Sequence, residues 1–507
     1  MIWKELVKVG LMGTDRSQIP TIVLEELSKK GISIEQDPAS VLLKGASIFA
    51  LMQKSGEMLS IYDQPMPEKD KQETTSFCSP PSVAHLELIL SGRYDEALPE
   101  FIDALVNRRK NIPPEMLPDL IEKARSSNTW WEGIRLCLGS RGEWLIHQNP
   151  EWHFLLKKID ETVWETGKTK DRLAFLKKLR LSDPIYAIDL LTESWKTESI
   201  PNKKKMIQIL QKGLSKADES FLESCLDESQ KEIRRFAAKL LAQIPDSGLV
   251  ERMIDRLRPL IQIKKRTTKK VSLEIQLPEN FDDSMIRDGI DPSAQWYQGG
   301  LKASRLVQMV ALVPPAKLEK MLGLSSLELL EAMIRSDYAD LLIQSIMEST
   351  ALHQSGNWLE LLLQFWLENY DKQRWQNLQA QNLLPIIKAE QFDQIAFKYL
   401  SIEEGMPEEN TPLDLLLKIP QKWSDRLGIL FIKKLQKWML SDDGRYWGGL
   451  YIRRILKKAA YQINPQLYPT LSKGWPYDSK IWAGWEEDVE RFLASLQFRQ
   501  IMIEKLE

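Results

Sequence analysis

The sequence predicts an all-α fold, namely a HEAT-like helical-repeat solenoid that is interrupted by one short β-strand or hairpin. Three observations predict it. Amphipathic helical patterns recur along almost the whole chain, residues 218–263 have the order of a HEAT-like helix pair, and a period-two pattern is convincing in one place only. A helix pair of this kind cannot bury its apolar stripes alone, so similar pairs are expected to stack on both sides of it.

The second helix of this pair is defined by its apolar spacing. From Ile233 to Ile244, apolar residues recur at i, i+3, i+4, i+7, i+8 and i+11, and Phe236 is one of them. This spacing places them on one side of an α-helix, which predicts a buried stripe. The order L-D-x-x-x-x-x-I-R-R-x-A-A-x-x-L, with its adjacent small residues, is similar to that of a HEAT repeat.

The flanking residues predict where this helix begins and ends. Ser229 and Glu232 have the S-x-x-E spacing of a capping box, in which each side chain satisfies a free backbone N–H at the helix start. Pro245 is expected to end the helix, because proline has no N–H to donate and its ring clashes with the preceding turn.

The chain before this pair divides into three predicted parts. Residues 1–61 form an N-terminal helical unit, and residues 62–81, rich in Pro, Ser, Thr and charge, form a linker or mobile loop. Residues 82–263 form a helical-repeat array, within which LGSRGEWLIHQNPEW is predicted to be an ordered turn because glycine and proline interrupt it. The first helix of the N-terminal unit carries one apolar stripe, made of Trp3, Leu6, Val7 and Leu11.

The periodicity changes after the pair. Residues 264–293 are predicted to be a basic turn, KKRTTKK, followed by a β insertion in which Val271, Leu273, Ile275 and Leu277 alternate with polar residues. A lone strand needs a partner, so we expect either a hairpin with residues near Gln262 or an exposed edge that another protein could extend. Residues 294–507 form a C-terminal helical array, in which Ser424 is the predicted N-cap of one helix.

Composition narrows the class of protein. The chain has 507 residues, and its 69 basic and 71 acidic residues leave a net charge of −2, without the basic excess that is typical of general affinity for nucleic acid or anionic membrane. No apolar run approaches the ~18 residues of a membrane span, and the charged N-terminus does not resemble a signal peptide. The three cysteines lie far apart and predict a reducing, cytoplasmic location without disulfide bonds.

The motifs of common active sites are absent from the sequence. No Cys-x-x-Cys pair, no H-E-x-x-H helix, no G-x-S-x-G elbow and no phosphate-binding glycine loop occurs, and His147 and His153 are too far apart for one helix face. We therefore predict no catalytic, cofactor-binding or metal-binding residue. A hydrolase with an unrecognised site stays open as an alternative, which a deep pocket with convergent polar groups would indicate.

Basic residues and tryptophans are the candidates for an interaction surface. The 17 tryptophans are expected to be mainly buried, but exposed members of the clusters at 423–447 and 475–485 could anchor a protein partner. Aligned basic helix faces could instead follow the phosphates of a nucleic acid, as in HEAT-like DNA repair proteins, or could simply be solvated. The candidate basic residues are Arg234, Arg235, Lys239, Lys264, Lys265, Lys269, Lys270, Arg453, Arg454 and Lys457.

Several longer segments resemble a known family along nearly the whole chain. They are LMGTDR, LGSRGEWLIHQNPEW, DESFLESCLDESQKEIRRFAAKLLAQIP, LEIQLPENFDDSMIRDGI, YIRRILKKAAYQINPQLY and WEEDVERFLASLQFRQ. The resemblance is to an uncharacterised bacterial family, domain of unknown function 5691. Because no catalytic residue is established for that family, the resemblance implies none here. It does imply a genomic context of MoxR-type AAA ATPases, von Willebrand factor A-domain proteins and SWIM zinc-finger proteins.

Together these observations favour a non-catalytic helical-repeat scaffold or adaptor that binds protein partners in the cytoplasm, without a cofactor or a membrane. The resemblance implies that an AAA ATPase or a von Willebrand A-domain protein is among the partners. The alternative is nucleic-acid binding, of the HEAT-like DNA-binding or repair type, through the basic helix faces.

Overall fold

The computed structural model of the chain describes residues 2–29, 31, 37–56, 73–126, 131–149, 151–152, 162–264, 271–293, 300–370, 375, 380–441 and 449–506. These residues are helical apart from turns, one isolated bridge and one short two-stranded sheet, so the prediction of an all-α fold with a β hairpin is confirmed. The chain divides into two units, Met1–Lys69 and Asp70–Glu507.

The first unit contains α1 (Ile2–Met12), α2 (Thr21–Lys29) and α3 (Pro38–Gly56). Its buried core is small and consists of Leu6, Val23, Leu27 and Val41. The predicted stripe of α1 is wrong in most of its members. Leu6 is buried together with Val9, but Trp3, Val7 and Leu11 are exposed, because α1 packs on α2 and α3 through the neighbouring side of the helix.

The second unit begins with helices and continues to the hairpin. The helices are α4 (Pro80–Leu90), α5 (Leu98–Asn107), α6 (Leu117–Ser126), α7 (Trp131–Leu136), α8 (Gly139–Gln148), α9 (Thr162–Thr166), α10 (Thr169–Ser182), α11 (Pro184–Ser194), α12 (Ile200–Ile209), α13 (Glu219–Cys225), α14 (Lys231–Gln243) and α15 (Gly248–Leu257). α10 packs on α12 and α12 packs on α14, which is the stacking of alternate helices that a repeat array requires.

The hairpin consists of β1 (Ile261–Lys264) and β2 (Ser272–Ile275), and further helices follow it. They are α16 (Asp283–Arg287), α17 (Gly300–Ala311), α18 (Pro315–Leu322), α19 (Ser326–Ile334), α20 (Ala339–His353), α21 (Gly356–Asn369), α22 (Ala389–Ile402), α23 (Pro412–Leu417), α24 (Asp425–Met439), α25 (Leu450–Gln462), α26 (Tyr468–Leu471) and α27 (Trp482–Lys505). As predicted, the Ser424 side chain caps α24 by accepting a hydrogen bond from the backbone N–H of Leu427.

Two predicted breaks in the chain are wrong in part. LGSRGEWLIHQNPEW is mostly helix α8, since Gly142 lies within that helix where a side chain would clash with Leu138. The predicted linker ends early, because Cys78 donates its backbone N–H to the carbonyl of Asn111 at 2.8 Å and α4 begins at Pro80. At these positions Gly142 allows close packing within α8, and Pro80 begins α4.

The last helix completes the core of the first helices of the second unit. The residues around α4 to α8 share one apolar cluster with Phe498, Met502 and Leu506 from the end of the chain. The hydroxyls of Ser79 and Ser82 each donate a hydrogen bond to the carbonyl of Lys505, at 3.0 Å in both cases. The two ends of this unit are therefore packed together.

The central helix pair, α13 and α14, is present but differs from its prediction at the start and on one side. The capping box predicted for Ser229 and Glu232 is wrong, because Gln230 is the N-cap residue of α14 and makes no side-chain cap hydrogen bond. Glu232 pairs instead with Lys204 of α12. Phe236 is exposed, and Ala238 is buried in its place.

The segment after the hairpin explains why Ala238 is buried. Gly289, with φ +85°, lies so close to α14 that an added Cβ would be 2.8 Å from the Cβ of Ala238. Arg252 and Arg256 of α15 hold this segment by donating hydrogen bonds to Asp288, which is buried. One side of α14 that the sequence indicates to be solvated is therefore covered by α16 and the turn after it.

Candidate interaction surfaces

The basic side of α14 is largely engaged within the fold. The Arg234 guanidinium donates hydrogen bonds to the carbonyls of Glu228, Ser229 and Ile286, at 2.6, 2.9 and 3.2 Å. It therefore joins the end of α13 to α16. Arg235 also has an interaction within the chain, whereas the Lys239 side chain is exposed.

The basic side of α25 is engaged in a similar way. Arg453 donates to the Asp488 carboxylate at 2.5 Å and to the carbonyl of Gly484 at 2.6 Å, and its guanidinium lies over the ring of Trp485. Arg454 forms an ion pair with Glu409 at 3.5 Å, and Lys457 is exposed. The contacts of Arg453 join α25 to α27, and one of the three predicted residues is without a described ion pair.

The third basic candidate is the turn between the two strands. Lys264, at the end of β1, is exposed. Lys265, Lys269 and Lys270 lie outside the described residues. The structure brings neither the α14 residues nor the α25 residues into described contact with Lys264.

The described tryptophans of the two predicted clusters lie mainly in the core, and Trp447 lies outside the described residues. In the two clusters predicted to include partner anchors, Trp423, Trp438, Trp475 and Trp485 are all buried. Trp482 is partly buried and packs edge-on against Tyr477. No fully exposed tryptophan of these clusters occurs among the residues that the structure describes, because their rings fill the spaces between stacked helices.

The cysteine side chains are unsuited to nucleophilic chemistry. Cys78, Cys137 and Cys225 are buried, and burial raises their thiol pKa to about 11, 12 and 12 respectively. A reactive cysteine needs a lowered pKa and access to solvent, so these thiols pack as small apolar groups.

His353, at the end of α20, makes a testable contribution to stability. Burial lowers its pKa to about 4, and its Nε2 has no hydrogen-bond partner within the described residues. Because the unfolded chain binds the proton more tightly, this residue contributes stability above pH ~6.5 that is lost as pH falls through about 4. The loss should be on the order of 3 kcal/mol, and the His353→Leu variant should lack it. Urea unfolding at several pH values measures the difference; parallel pH profiles of the two proteins would contradict the assignment.

Within the described residues, a surface depression lies between α4 and α6. It is lined by Glu87, Leu90, Ser91, Met116, Asp119, Glu122 and Lys123. Its one hydroxyl, on Ser91, donates to the carbonyl of Leu88 at 2.8 Å, and no histidine is present to activate it. Glu122 accepts a 2.6 Å hydrogen bond from the indole of Trp152, so this carboxylate also has a structural role. The depression lacks a paired nucleophile and base.

The described part of the chain also lacks two other features. Within it, no group of three or more His, Cys, Asp or Glu side chains is placed to hold a metal ion. None of the described helices combines the length and the apolar character that crossing a bilayer requires.

The largest departure from the sequence-based expectation is the exposure of large apolar side chains on the first unit. Large apolar side chains that a helix would normally bury are exposed on all three of its helices, and Leu11 is 84% exposed. The apolar spacing of α1 and α3 is visible in the sequence, but it does not reveal which side is left uncovered. The exposed residues are Trp3, Val7, Leu11, Met12, Ile22, Leu43 and Leu51, and they are called the N-terminal apolar surface below.

Comparison with solved structures adds no evidence on function. The crystal structure of an engineered protein from the Northeast Structural Genomics Consortium covers 80% of this chain and 98% of its own, with 13% sequence identity. Its TM-score of 0.24 is too low to support an argument about fold or function.

Comparison of the sequence alone gives a clear family. A search of curated proteins finds no match. A family of unknown function, DUF5691, matches residues 5–506. Since the match spans essentially the whole sequence, the chain belongs to the DUF5691 family.

Proposed function

We propose that this protein is a non-catalytic helical scaffold or adaptor, whose first unit binds a protein partner through the N-terminal apolar surface. The observation that carries the proposal is the mismatch between the small buried core of this unit and its exposed apolar side chains. Small helical units bury a low fraction of their surface, and large exposed apolar patches mark protein interaction sites.

The geometry of α1 and α3 favours a helix as the partner's binding element. Trp3, Val7 and Leu11 recur every four residues along α1, and Leu43 and Leu51 lie on α3, which packs beside it. A partner helix with apolar residues at i, i+4 and i+8 could cover such a stripe. Fully burying one leucine contributes roughly 1.5–3 kcal/mol, so three such contacts would support specific binding.

Charge further defines the partner. Lys4 and Lys8 are exposed at the positions next to the apolar stripe around α1. A partner helix with carboxylates beside its apolar stripe would complement them and bind faster at low salt. We therefore propose an acidic amphipathic helix. The family resemblance implies that MoxR-type AAA ATPases and von Willebrand A-domain proteins are the candidates to carry this helix.

The alternative, nucleic-acid binding through basic helix faces, has weaker support. Arg234 and Arg453 donate hydrogen bonds to groups of the chain itself, and the net charge is −2. A phosphate-tracking surface would need several uncommitted basic side chains on one face.

A titration with purified proteins tests the proposal. The full-length chain is titrated with a MoxR-type AAA ATPase and with a von Willebrand A-domain protein from the same organism. Leu11→Asp and Leu43→Asp should each weaken binding about tenfold or more, because a carboxylate would be buried in the apolar contact. Leu181→Asp on α10 is the matched control, since Leu181 is 65% exposed and Leu43 is 69% exposed. The control should leave the affinity within about twofold.

Other occupants of the surface would give different results. If the surface joined two copies of this chain, sedimentation would show self-association that Leu43→Asp abolishes. If another part of the same chain covered it, Leu43→Asp would lower the thermal stability of the isolated protein instead of its affinity. Equal binding by the wild type, both surface variants and the control, or no binding to either protein, would contradict the proposal.

A further inference from the structure

The depression between α4 and α6 has an apolar floor. It has a volume of about 600 Å³, which lies within the range of ligand-binding clefts. Its apolar lining consists of Leu90, the last residue of α4, and Met116, which directly precedes α6. Both side chains pack in the apolar cluster of the helices from α4 to α8, and Met116 is buried. The floor is therefore part of the core and is present before any ligand binds.

The rim of this depression is acidic. Glu87, Asp119 and Glu122 line it and are exposed. The lining contains one ammonium group, that of Lys123, which has an interaction within the chain. Three carboxylates and one ammonium leave an excess of two negative charges around the apolar floor. A cleft lined by one sign of charge attracts ligands of the opposite sign, so this one favours cations.

Two of the three carboxylates are available to a ligand. Those of Glu87 and Asp119 form no hydrogen bond or ion pair with any residue that the structure describes. Glu122 differs from them, because it accepts the 2.6 Å hydrogen bond from the indole of Trp152. Glu87 belongs to α4 and Asp119 to α6, so each of the two helices presents one unpaired negative charge.

The end of α4 adds to the preference for a cation. Leu90 and the C-cap residue Ser91 both line the depression, and the last turn of α4 contains no basic residue. The last carbonyl groups of a helix give its C-terminus a partial negative charge. The helix end and the two unpaired carboxylates therefore favour the same ligand, one that carries positive charge.

We propose that the depression between α4 and α6 binds a basic amphipathic segment of a partner protein. An apolar side chain of that segment packs on Leu90 and Met116, and lysine or arginine side chains beside it pair with Glu87 and Asp119. The apolar floor selects such a segment over a simple cation, which would use the carboxylates alone. The N-terminal apolar surface favours an acidic helix instead, so either proposal can fail while the other holds.

Peptide binding to the full chain tests the proposal. The probe is a short fluorescent peptide of alternating lysine and leucine. It is compared with a lysine–serine peptide of the same charge and with a glutamate–leucine peptide. The lysine–leucine peptide should bind about tenfold more tightly than either, because it alone supplies both kinds of contact. Its affinity should also fall as the salt concentration rises.

The methyl group of Met116 reports where the peptide binds. In nuclear magnetic resonance spectra of isotope-labelled methionine methyl groups, the Met116 signal should shift when the lysine–leucine peptide is added. The signal of Met253, which is buried in α15, should not shift. Met116→Leu assigns the signal, since this substitution nearly conserves the side-chain volume. A bound peptide that leaves the Met116 signal in place would contradict the proposal.

Charge reversal on the rim separates this site from general attraction to the protein. Glu87→Lys/Asp119→Lys should weaken binding of the lysine–leucine peptide about tenfold or more. Asp189→Lys/Glu193→Lys on α11 is the matched control, because both carboxylates are exposed and have no described partner. The control changes the net charge equally and should leave the affinity within about twofold. Thermal unfolding should show that both double variants keep the fold.

Four outcomes would overturn the proposal. The first is that the lysine–leucine peptide does not bind, and the second is that it binds Glu87→Lys/Asp119→Lys as tightly as the wild type. In the third, the lysine–serine peptide or spermidine binds as tightly as the lysine–leucine peptide, so the depression is a site for simple cations. In the fourth, Leu43→Asp lowers the affinity and the rim variant does not, which places the peptide on the N-terminal apolar surface.

Discussion

Replacing Arg180 by methionine is expected to lower the free energy of unfolding by about 3–5 kcal/mol, because it leaves a buried carboxylate without its counter-ion. Arg180 is 1% exposed at the end of α10, and Asp218 before α13 is equally buried. The guanidinium donates to both Asp218 oxygens, at 2.8 and 3.1 Å. Its other hydrogen bonds are to the carbonyls of Pro184, Leu210, Lys212 and Gly213.

The effect of Arg180→Met can be separated from a general loss of charge. Arg258, paired with Asp255 at 3.7 Å, is 69% exposed, so Arg258→Met should change the free energy of unfolding by less than about 0.5 kcal/mol. The double variant Arg180→Met/Asp218→Leu should recover part of the loss, since it removes the unpaired charge as well. Urea unfolding followed by circular dichroism measures all three. A loss no larger than that of the Arg258→Met control would contradict a stabilising role for the buried Arg180–Asp218 pair.

Replacing Arg499 by methionine should have a comparable effect, concentrated in the helices from α4 to α8. Arg499 of α27 is 1% exposed and donates to the carboxylate of Glu100 on α5, at 2.5 and 2.8 Å. It also bonds to the carbonyls of Ala460 and Ile463 at the end of α25. We expect a loss of about 3–5 kcal/mol. Hydrogen exchange should show faster opening of α4 and α5 than of α10 to α15.

The stability that Arg499 provides should depend on pH, because its partner is the carboxylate of Glu100. Burial opposes ionisation of Glu100, but Arg499 and Lys422 outweigh it and lower the pKa below the ordinary value of 4.5. A carboxylate with a lowered folded pKa contributes stability that is full above the unfolded value and is lost as pH falls through the folded one. The wild type should therefore lose stability below pH ~4.5 faster than Arg499→Met does.

The control for Arg499 lies on the same helix. Arg491 pairs with Glu487 on the exposed side of α27, where its side chain is 58% exposed. Arg491→Met should leave both the unfolding free energy and the acid profile nearly unchanged. Identical exchange rates in α4 and α5 for the wild type and Arg499→Met would contradict the role of Arg499 as a link between α27 and α5.

Local chemistry was predictable from the sequence where the determining residues lie close together in the chain. Ser424 caps α24 because the acceptor and the N–H are three residues apart, and the hairpin follows from alternation within a few residues. Ser229 fails as a cap although its spacing fits equally well. Glu232, the other member of the predicted capping box, binds Lys204 from another helix, and the local spacing does not reveal this contact.

The surfaces were harder to predict because an apolar or basic stripe does not reveal what covers it. Phe236 and Ala238 are neighbours in the α14 pattern, but Gly289 brings the backbone of a distant segment against Ala238 and leaves Phe236 outside. The same segment engages Arg234, which the pattern alone places toward solvent. In α1 the reverse occurs, since Trp3 and Leu11 have the spacing of core residues and remain uncovered.

The packing of α27 against α4 and α5 has a consequence for synthesis on the ribosome. In a linear repeat array, each repeat contacts only its neighbours and can fold soon after it emerges. Here Ser79 donates a hydrogen bond to the carbonyl of Lys505, 426 residues further along the chain. The ion-pair partner of Glu100, Arg499, lies 399 residues after it. The first helices of this unit therefore cannot reach their final stability until α27 has been synthesised, because its contacts with them do not exist before then.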